Sequence, residues 1–166
     1  MELIPPNRAY QASYRAYIAE LGDEVRYPFT MDLPHDDFDS LLHRLAEIEQ
    51  GIALLPGHVS SSTYWLVDDG ELIGVSNLRH VLNERIRHIG GHVGLGIRPS
   101  RRGQGLGTRL LAQTLVAAGA RGLRDIHVHC YADNHPSARM IVANGGVLDS
   151  TVQLEDRVVE RYRIAS

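Results

Sequence analysis

Apolar positions change period several times along the chain, and each change predicts an element. Residues 2–4 form a short strand stopped by Pro5 and Pro6. Tyr10, Tyr14, Tyr17, Ile18 and Leu21 fall at helical spacing between a capping Asn7 and Gly22. Residues 23–35, with Pro28 and Pro34, are a loop. Phe38, Leu41, Leu42, Leu45 and Ile48 form one apolar face of a second helix over 36–50, capped by Asp36 or Asp37 and closed by Gly51. The period then shortens. Residues 63–67 (TYWLV), a turn at 68–71 and an apolar run at 72–78 predict a β-hairpin. After an Arg-rich loop at 80–89, residues 92–98 alternate, with Val93, Leu95 and Ile97 opposite His92, Gly94, Gly96 and Arg98. Two glycines in one strand predict a bulge or a close approach to its backbone. Residues 105–120 predict a helix and 125–131 a strand. Asn134 and Pro136 open a short helix that Asn144, Gly145 and Gly146 stop. Two closing strands, 147–154 and 158–164, pair around Glu155 and Asp156. The order is β-αα-ββ-β-α-β-α-ββ, an α/β fold with a mixed sheet and helices on its faces.

Composition narrows the function. At 166 residues and 43% hydrophobic, the chain suits one soluble domain with a real core. It has one cysteine, Cys130, which excludes an internal disulfide and a Cys-rich zinc site; no metal is expected. All 17 basic residues are arginine, so neither a P-loop lysine nor a Schiff base is available. The start reads as no signal peptide, and no run approaches the ~18 apolar residues of a membrane span. A cytoplasmic protein with no membrane partner is expected. Residues 1–50 hold ten acids and four arginines, whereas residues 79–109 hold seven arginines against Glu84 alone. A basic centre in a chain of net charge −3 predicts a local anionic ligand rather than a nucleic-acid surface.

The chemistry concentrates at 94–108. A strand runs through a glycine-rich turn into an amphipathic helix, so unpaired N–H groups meet a helix dipole beside Arg101, Arg102 and Arg109. This is a phosphate cradle. Its Gly103-x-Gly105-x-Gly107 spacing is not the dinucleotide fingerprint, because position 108 is Thr. It reads instead as R-x-x-G-x-G over 102–107.

On that segment, on Ile97-Arg98-Pro99 before it, and on Asn134-x-x-Ser137 followed by Asn144-Gly145-Gly146, the chain resembles the GNAT superfamily of N-acetyltransferases. The runs LRHVLN and GGHVGLGIRPSRRGQG resemble an uncharacterised bacterial branch of predicted acetyltransferases. The resemblance implies the acyl-CoA N-acyltransferase fold, with an acetyl-CoA-binding core at 60–165 and substrate-side helices and loop at 1–58 of one domain. It implies acetyl transfer from acetyl-CoA to a primary amine by direct attack, with no acyl-enzyme. A bulged fourth strand would offer backbone donors around Leu95, Ile97 and Arg98. Arg102, Gly103, Gln104, Gly105, Leu106, Gly107 and Thr108 would hold the pyrophosphate, and Asn134 and Ser137 would contact the CoA arm. Homodimers are common among proteins of this appearance, and a homodimer is an expectation here.

His92 is the first candidate for a general base, with Glu84 and His80 as alternatives in the adjoining loop. A hydrogen-bonded structural histidine explains His92 as well, and a helix cap explains Asn134. The family's usual general-acid tyrosine is replaced by Ile141, so no general acid is assigned. Cys130 reads as a buried inert thiol. Asp32, Asp36, Asp37 and Asp39 could attract a cationic acceptor, although a loop and a helix cap explain them. The alternative is a non-catalytic acyl-CoA-binding module of the same fold. A nucleic-acid binder is disfavoured by the negative charge.

Overall fold

The computed structural model describes residues 1–165. Its strands are β1 (Glu2–Ile4), β2 (Ser61–Asp68), β3 (Glu71–Arg79), β4 (Val93–Ile97), β5 (Asp125–Tyr131), β6 (Val147–Gln153) and β7 (Val158–Ala165). Its helices are α1 (Gln11–Leu21), α2 (Phe38–Glu49), α3 (Glu84–His88), α4 (Leu106–Ala120) and α5 (His135–Ala143). The fold is the expected mixed α/β arrangement with antiparallel sheets. The sheet is divided: β1-β2-β3-β4 form one half and β5-β7-β6 the other, so β4 and β5 face each other as edges.

Helices cover both faces of the first half. Tyr14, Tyr17 and Leu21 of α1 and Phe38, Leu41 and Leu45 of α2 bury Trp65, Val67 and Val75. Leu110 of α4 buries Leu66 and Ile73 on the opposite face, where the Ser76 and Thr114 hydroxyls meet at 2.8 Å. Both faces of β2 are therefore dry, which is why it reads as a continuous apolar run. In the second half Ile126, Val128, Tyr162 and Ile164 close a core with Leu111 and Ile141.

Three local expectations change. Asn7 caps a 3-10 turn at Arg8–Tyr10, accepting from the Ala9 amide, and α1 starts after it. The Arg-rich loop contains the short helix α3, because the Asn83 side chain accepts the Ile86 amide at 2.9 Å. The fourth strand is not bulged: Gly74–Leu78 pair with Ile97–Val93 in unbroken register. The close approach is what its glycines provide. A Cβ on Gly96 would strike the Tyr27 carbonyl oxygen, and one on Gly94 would touch Pro28 at 3.4 Å. The loop after α1 thus rests on β4.

Candidate functional site

β4 and β5 join at one end and separate at the other. The His92 amide donates to the His127 carbonyl at 2.7 Å, and Gly91 bridges Val128. Beyond that point no strand pairing links the two halves among the described residues. The Arg79 amide donates to the His92 carbonyl at 2.7 Å and the Arg98 amide to the Ile73 carbonyl at 2.9 Å, at the two ends of the β3–β4 register. Antiparallel pairing alternates, so Gly94, Gly96 and Arg98 turn their amides to β3. Leu95 and Ile97 turn theirs into the wedge. The Ile97 carbonyl is taken by Arg102 Nε at 3.0 Å, which leaves the two N–H groups and the Leu95 carbonyl on the open edge.

The wedge leads to the glycine turn. Gly103 and Gly105 both have φ of +74°, and a Cβ on either would meet nothing within 4 Å. Glycine is needed there for left-handed backbone, not for room. Gly107 differs: its Cβ would stand 3.1 Å from Met140 Sδ, so it lets α4 approach α5. Gly105 is the N-cap of α4 and no side chain caps the helix. The first amides of α4, at Leu106, Gly107 and Thr108, therefore point outward at the positive end of the dipole. The cavity here has a volume of about 780 Å³ and contains Leu95, Ile97, the turn glycines, Asn134 and Ser137 in its lining. Asn134 Oδ1 accepts the Ser137 amide at 3.2 Å, so it caps α5 while lining the cavity.

The arginines of this turn are already neutralised. Arg98, a proposed ligand contact from sequence, is buried, with Nε 2.6 Å from Glu20 and Nη1 3.1 Å from Glu71. Its amide and side chain are both turned away from the wedge. Arg101 pairs with Glu71, and Arg102 pairs with Glu24 at 2.9 Å. The Gln104 side chain is exposed and Gln104 is not among the cavity-lining residues.

A second cavity of about 310 Å³ adjoins the first; Tyr27, Leu95, Asn134, Ser137 and Met140 line both. Its walls include the loop at 26–29, Arg79, Gly90, and His129, Cys130 and Tyr131 of β5. No aspartate or glutamate lines it. Burial pushes the Cys130 thiol up to about 11, with Glu160 adding to the shift, so it is a neutral thiol near pH 7. Burial also raises the Tyr27 phenol, with Tyr131 beside it. The Arg157 guanidinium sits 3.5 Å over the Tyr131 ring. His129 Nδ1 accepts the Gly90 amide at 2.9 Å, and burial with His127 beside it drives its pKa down to about 4.

His92 and Glu84, the base candidates from sequence, line neither cavity. His92 is buried at the join of β4 and β5, where its Nδ1 accepts the His127 amide at 2.9 Å. Burial and His127 lower its pKa to about 4. Its basic lone pair is occupied by a peptide. Glu84 starts α3, and His80 is within 2.8 Å of the Ser62 hydroxyl. The acids near α2 are accounted for locally: Asp37 caps the helix and Asp39 pairs with Arg8 at 2.5 Å. Sequence reasoning missed Tyr27, Arg79 and His129. Only tertiary approach marks them; the sole hint was the unexplained glycine pair under Tyr27 and Pro28. No group of three or more metal-ligating side chains, and no helix long and apolar enough to cross a membrane, occurs among the described residues.

The model of the acetyltransferase (GNAT) family matches residues 14–145. A comparison with curated protein sequences gives no match. Among solved structures, an acetyltransferase from Salmonella typhimurium that modifies the N-terminal serine of a 50S ribosomal subunit protein superposes with a TM-score of 0.70 at 14% identity, over 99% of this chain and 94% of that one. A mutant spermidine N-acetyltransferase from Vibrio cholerae gives 0.69 at 17% identity, over 99% and 95%. RimJ from Mycobacterium smegmatis, in complex with CoA-disulfide, gives 0.68 at 19% identity, over 99% and 81%. At these identities the likeness is one of fold.

Proposed function

The chain belongs to the GNAT acetyltransferase family, and from that premise we propose that it moves an acetyl group from acetyl-CoA to a primary amine in a ternary complex. The observation that carries this reading is the continuity of open amides. The N–H groups of Leu95 and Ile97 lead along the wedge to the uncapped start of α4. An extended pantetheine arm fits the free edge of β4 as an added strand. A pyrophosphate fits the amides of Gly107 and Thr108. We read 60–165 as the donor-binding part and 1–58 as the acceptor-side part, since the loop at 26–29 walls the smaller cavity.

Acetyl-CoA, when bound, supplies an activated thioester carbonyl. The amine lone pair makes the new C–N bond as the C–S bond breaks; the amine loses one proton and the leaving thiolate gains one. The Leu95 N–H is the preorganised donor for charge developing on the carbonyl oxygen, a role worth about 3 kcal/mol in other enzymes. Alignment of the two reactants in adjoining cavities supplies the proximity term. Cys130, kept as a neutral thiol, does not compete as a nucleophile. With no carboxylate in the smaller cavity, the amine proton leaves through water, and Tyr27, common to both cavities, is the side chain placed to return one to sulfur.

Ile141 favours a second reading, a non-catalytic acyl-CoA-binding module. It is fully buried in the core, so no hydroxyl is available at the family's usual position. The test is calorimetric titration of acetyl-CoA into wild type and Gly105→Glu. Saturable binding that weakens at least about tenfold in the folded variant is expected. No binding to folded wild type, or equal binding to the variant, overturns the donor site. Thiol release with an amine panel then separates enzyme from module.

A further inference from the structure

The smaller cavity is lined by half-buried donors and no acid. Arg79 ends β3, and its Nη1 donates to the Gly91 carbonyl at 2.9 Å and lies 3.5 Å from that of Gly90. No carboxylate pairs with Arg79 among the described residues. The charge nearest to matter is another cation, Arg85, which together with burial lowers the Arg79 pKa. His129 completes the pattern. Because Nδ1 accepts the Gly90 amide, the neutral ring carries its proton on Nε2, and that atom is buried without a partner. Gly90 thus lies between the two groups, its carbonyl facing one and its amide the other. Arg26 also lines the cavity. Pro28, Phe29, Ile89, Val93, Val128 and Val159 make much of the remaining wall apolar, with Tyr27, Tyr131, Asn134 and Ser137 as its uncharged polar members.

A half-buried guanidinium that has backbone carbonyls but no carboxylate for a partner, beside an unmatched N–H donor, favours an anionic ligand. The pairing is absent from the protein, so it belongs to the ligand. Resting on the reading of this cavity as the acceptor side, we propose that the acceptor is an apolar amine that also carries a carboxylate, seated between Arg79 and His129. An α-amino acid with an apolar side chain has this chemistry. A polyamine does not: its ammonium groups would meet Arg79 and Arg26 with no acid in the lining.

The test compares N-acetylphenylalanine, the product form of such an acceptor, with its neutral C-terminal amide. Each is titrated calorimetrically into wild-type protein, with and without saturating CoA. The acid is expected to bind at least about tenfold more tightly than the amide, and Arg79→Gln to bring the ratio near one. His129→Phe is expected to reduce the ratio by about threefold, as loss of one neutral donor would. Equal binding of acid and amide to wild type overturns the proposal, as does failure of both to bind at millimolar concentration. So does an unchanged ratio in folded Arg79→Gln. A purely structural Arg79 would alter the melting temperature and leave the ratio alone. The wild-type ratio needs no variant to fold. It is also independent of acetyl-CoA binding: a CoA-blind protein that still prefers the acid would overturn the donor site and keep this one.

Discussion

The two cavities of one wedge attract negative charge by opposite means. At the larger cavity the three turn arginines are matched by Glu20, Glu24 and Glu71, so the remaining pull comes from peptide N–H groups and the α4 dipole. At the smaller one Arg79 has no acid, and the pull comes from a side chain. The uneven charge of the sequence thus resolves in an unexpected way: two acids of the first fifty residues, Glu20 and Glu24, fold onto the basic centre and pair with Arg98 and Arg102. An arginine inside an anion-binding motif is not necessarily the hook. A glutamate can orient it as a strut, while the glycine backbone leaves its amides open.

The comparison breaks most completely at Gly96, where the two regions touch. Replacing it by Val drives a branched side chain into the backbone carbonyl of Tyr27, which has no flexible end to yield. The loop at 26–29 must leave β4, and both cavities lose a wall. The expected loss is about 3 kcal/mol in urea unfolding, at the upper end for overpacking, with both acetyl-CoA and acceptor binding abolished. Gly94→Ala is the control, since its Cβ meets Pro28 at ordinary contact distance. If Gly96→Val binds both ligands normally, the loop does not wall the site.

Arg98→Met sharpens the comparison. It removes a buried cation from between Glu20 and Glu71, so unfolding stability is expected to fall by about 3 kcal/mol, the low end for breaking a buried pair. Acetyl-CoA affinity of the folded variant is expected to stay within about twofold, measured by calorimetry. A tenfold loss of affinity with stability intact would show that Arg98 holds ligand and not loop.

These residues show what was legible. The strands, helices and glycine turn followed from apolar period and from Gly, Asn and Pro positions, because those signals are local. The larger cavity was partly legible for the same reason: one segment, 95–108, supplies about half of its lining. The smaller cavity is assembled from residues 26–29, 79, 89–95, 128–141 and 159, and contact between such distant pieces leaves no periodic trace. His92 shows the limit clearly. Alternation placed it on the face of Gly94 and Gly96, yet its ring turns to the β5 backbone, an option that no pattern within β4 displays. The arginine roles were obscured because sequence gives charge density and not the pairing that cancels it.

The smallest effect concerns that histidine. His92 and His129 both have pKa values near 4 in the folded protein, against about 6.5 when unfolded. Their folded values are depressed by burial, so the unfolded chain binds more protons between those limits. The stability they confer is complete above pH 6.5 and is lost as pH falls towards 4. Each contributes a slope of up to about 1.4 kcal/mol per pH unit within that window. His92→Asn keeps an acceptor for the His127 amide but does not titrate. Urea midpoints between pH 7 and 4.5 are expected to fall less steeply in the variant than in wild type. Carboxylates that titrate in the same range act on both proteins, and the difference isolates His92. Turnover at pH 7.5 is expected to change less than about twofold, because the His92 lone pair is spent on a peptide. A loss of about a hundredfold with the acid limb unchanged would instead make His92 the base and move the chemistry from the open wedge to the join of β4 and β5.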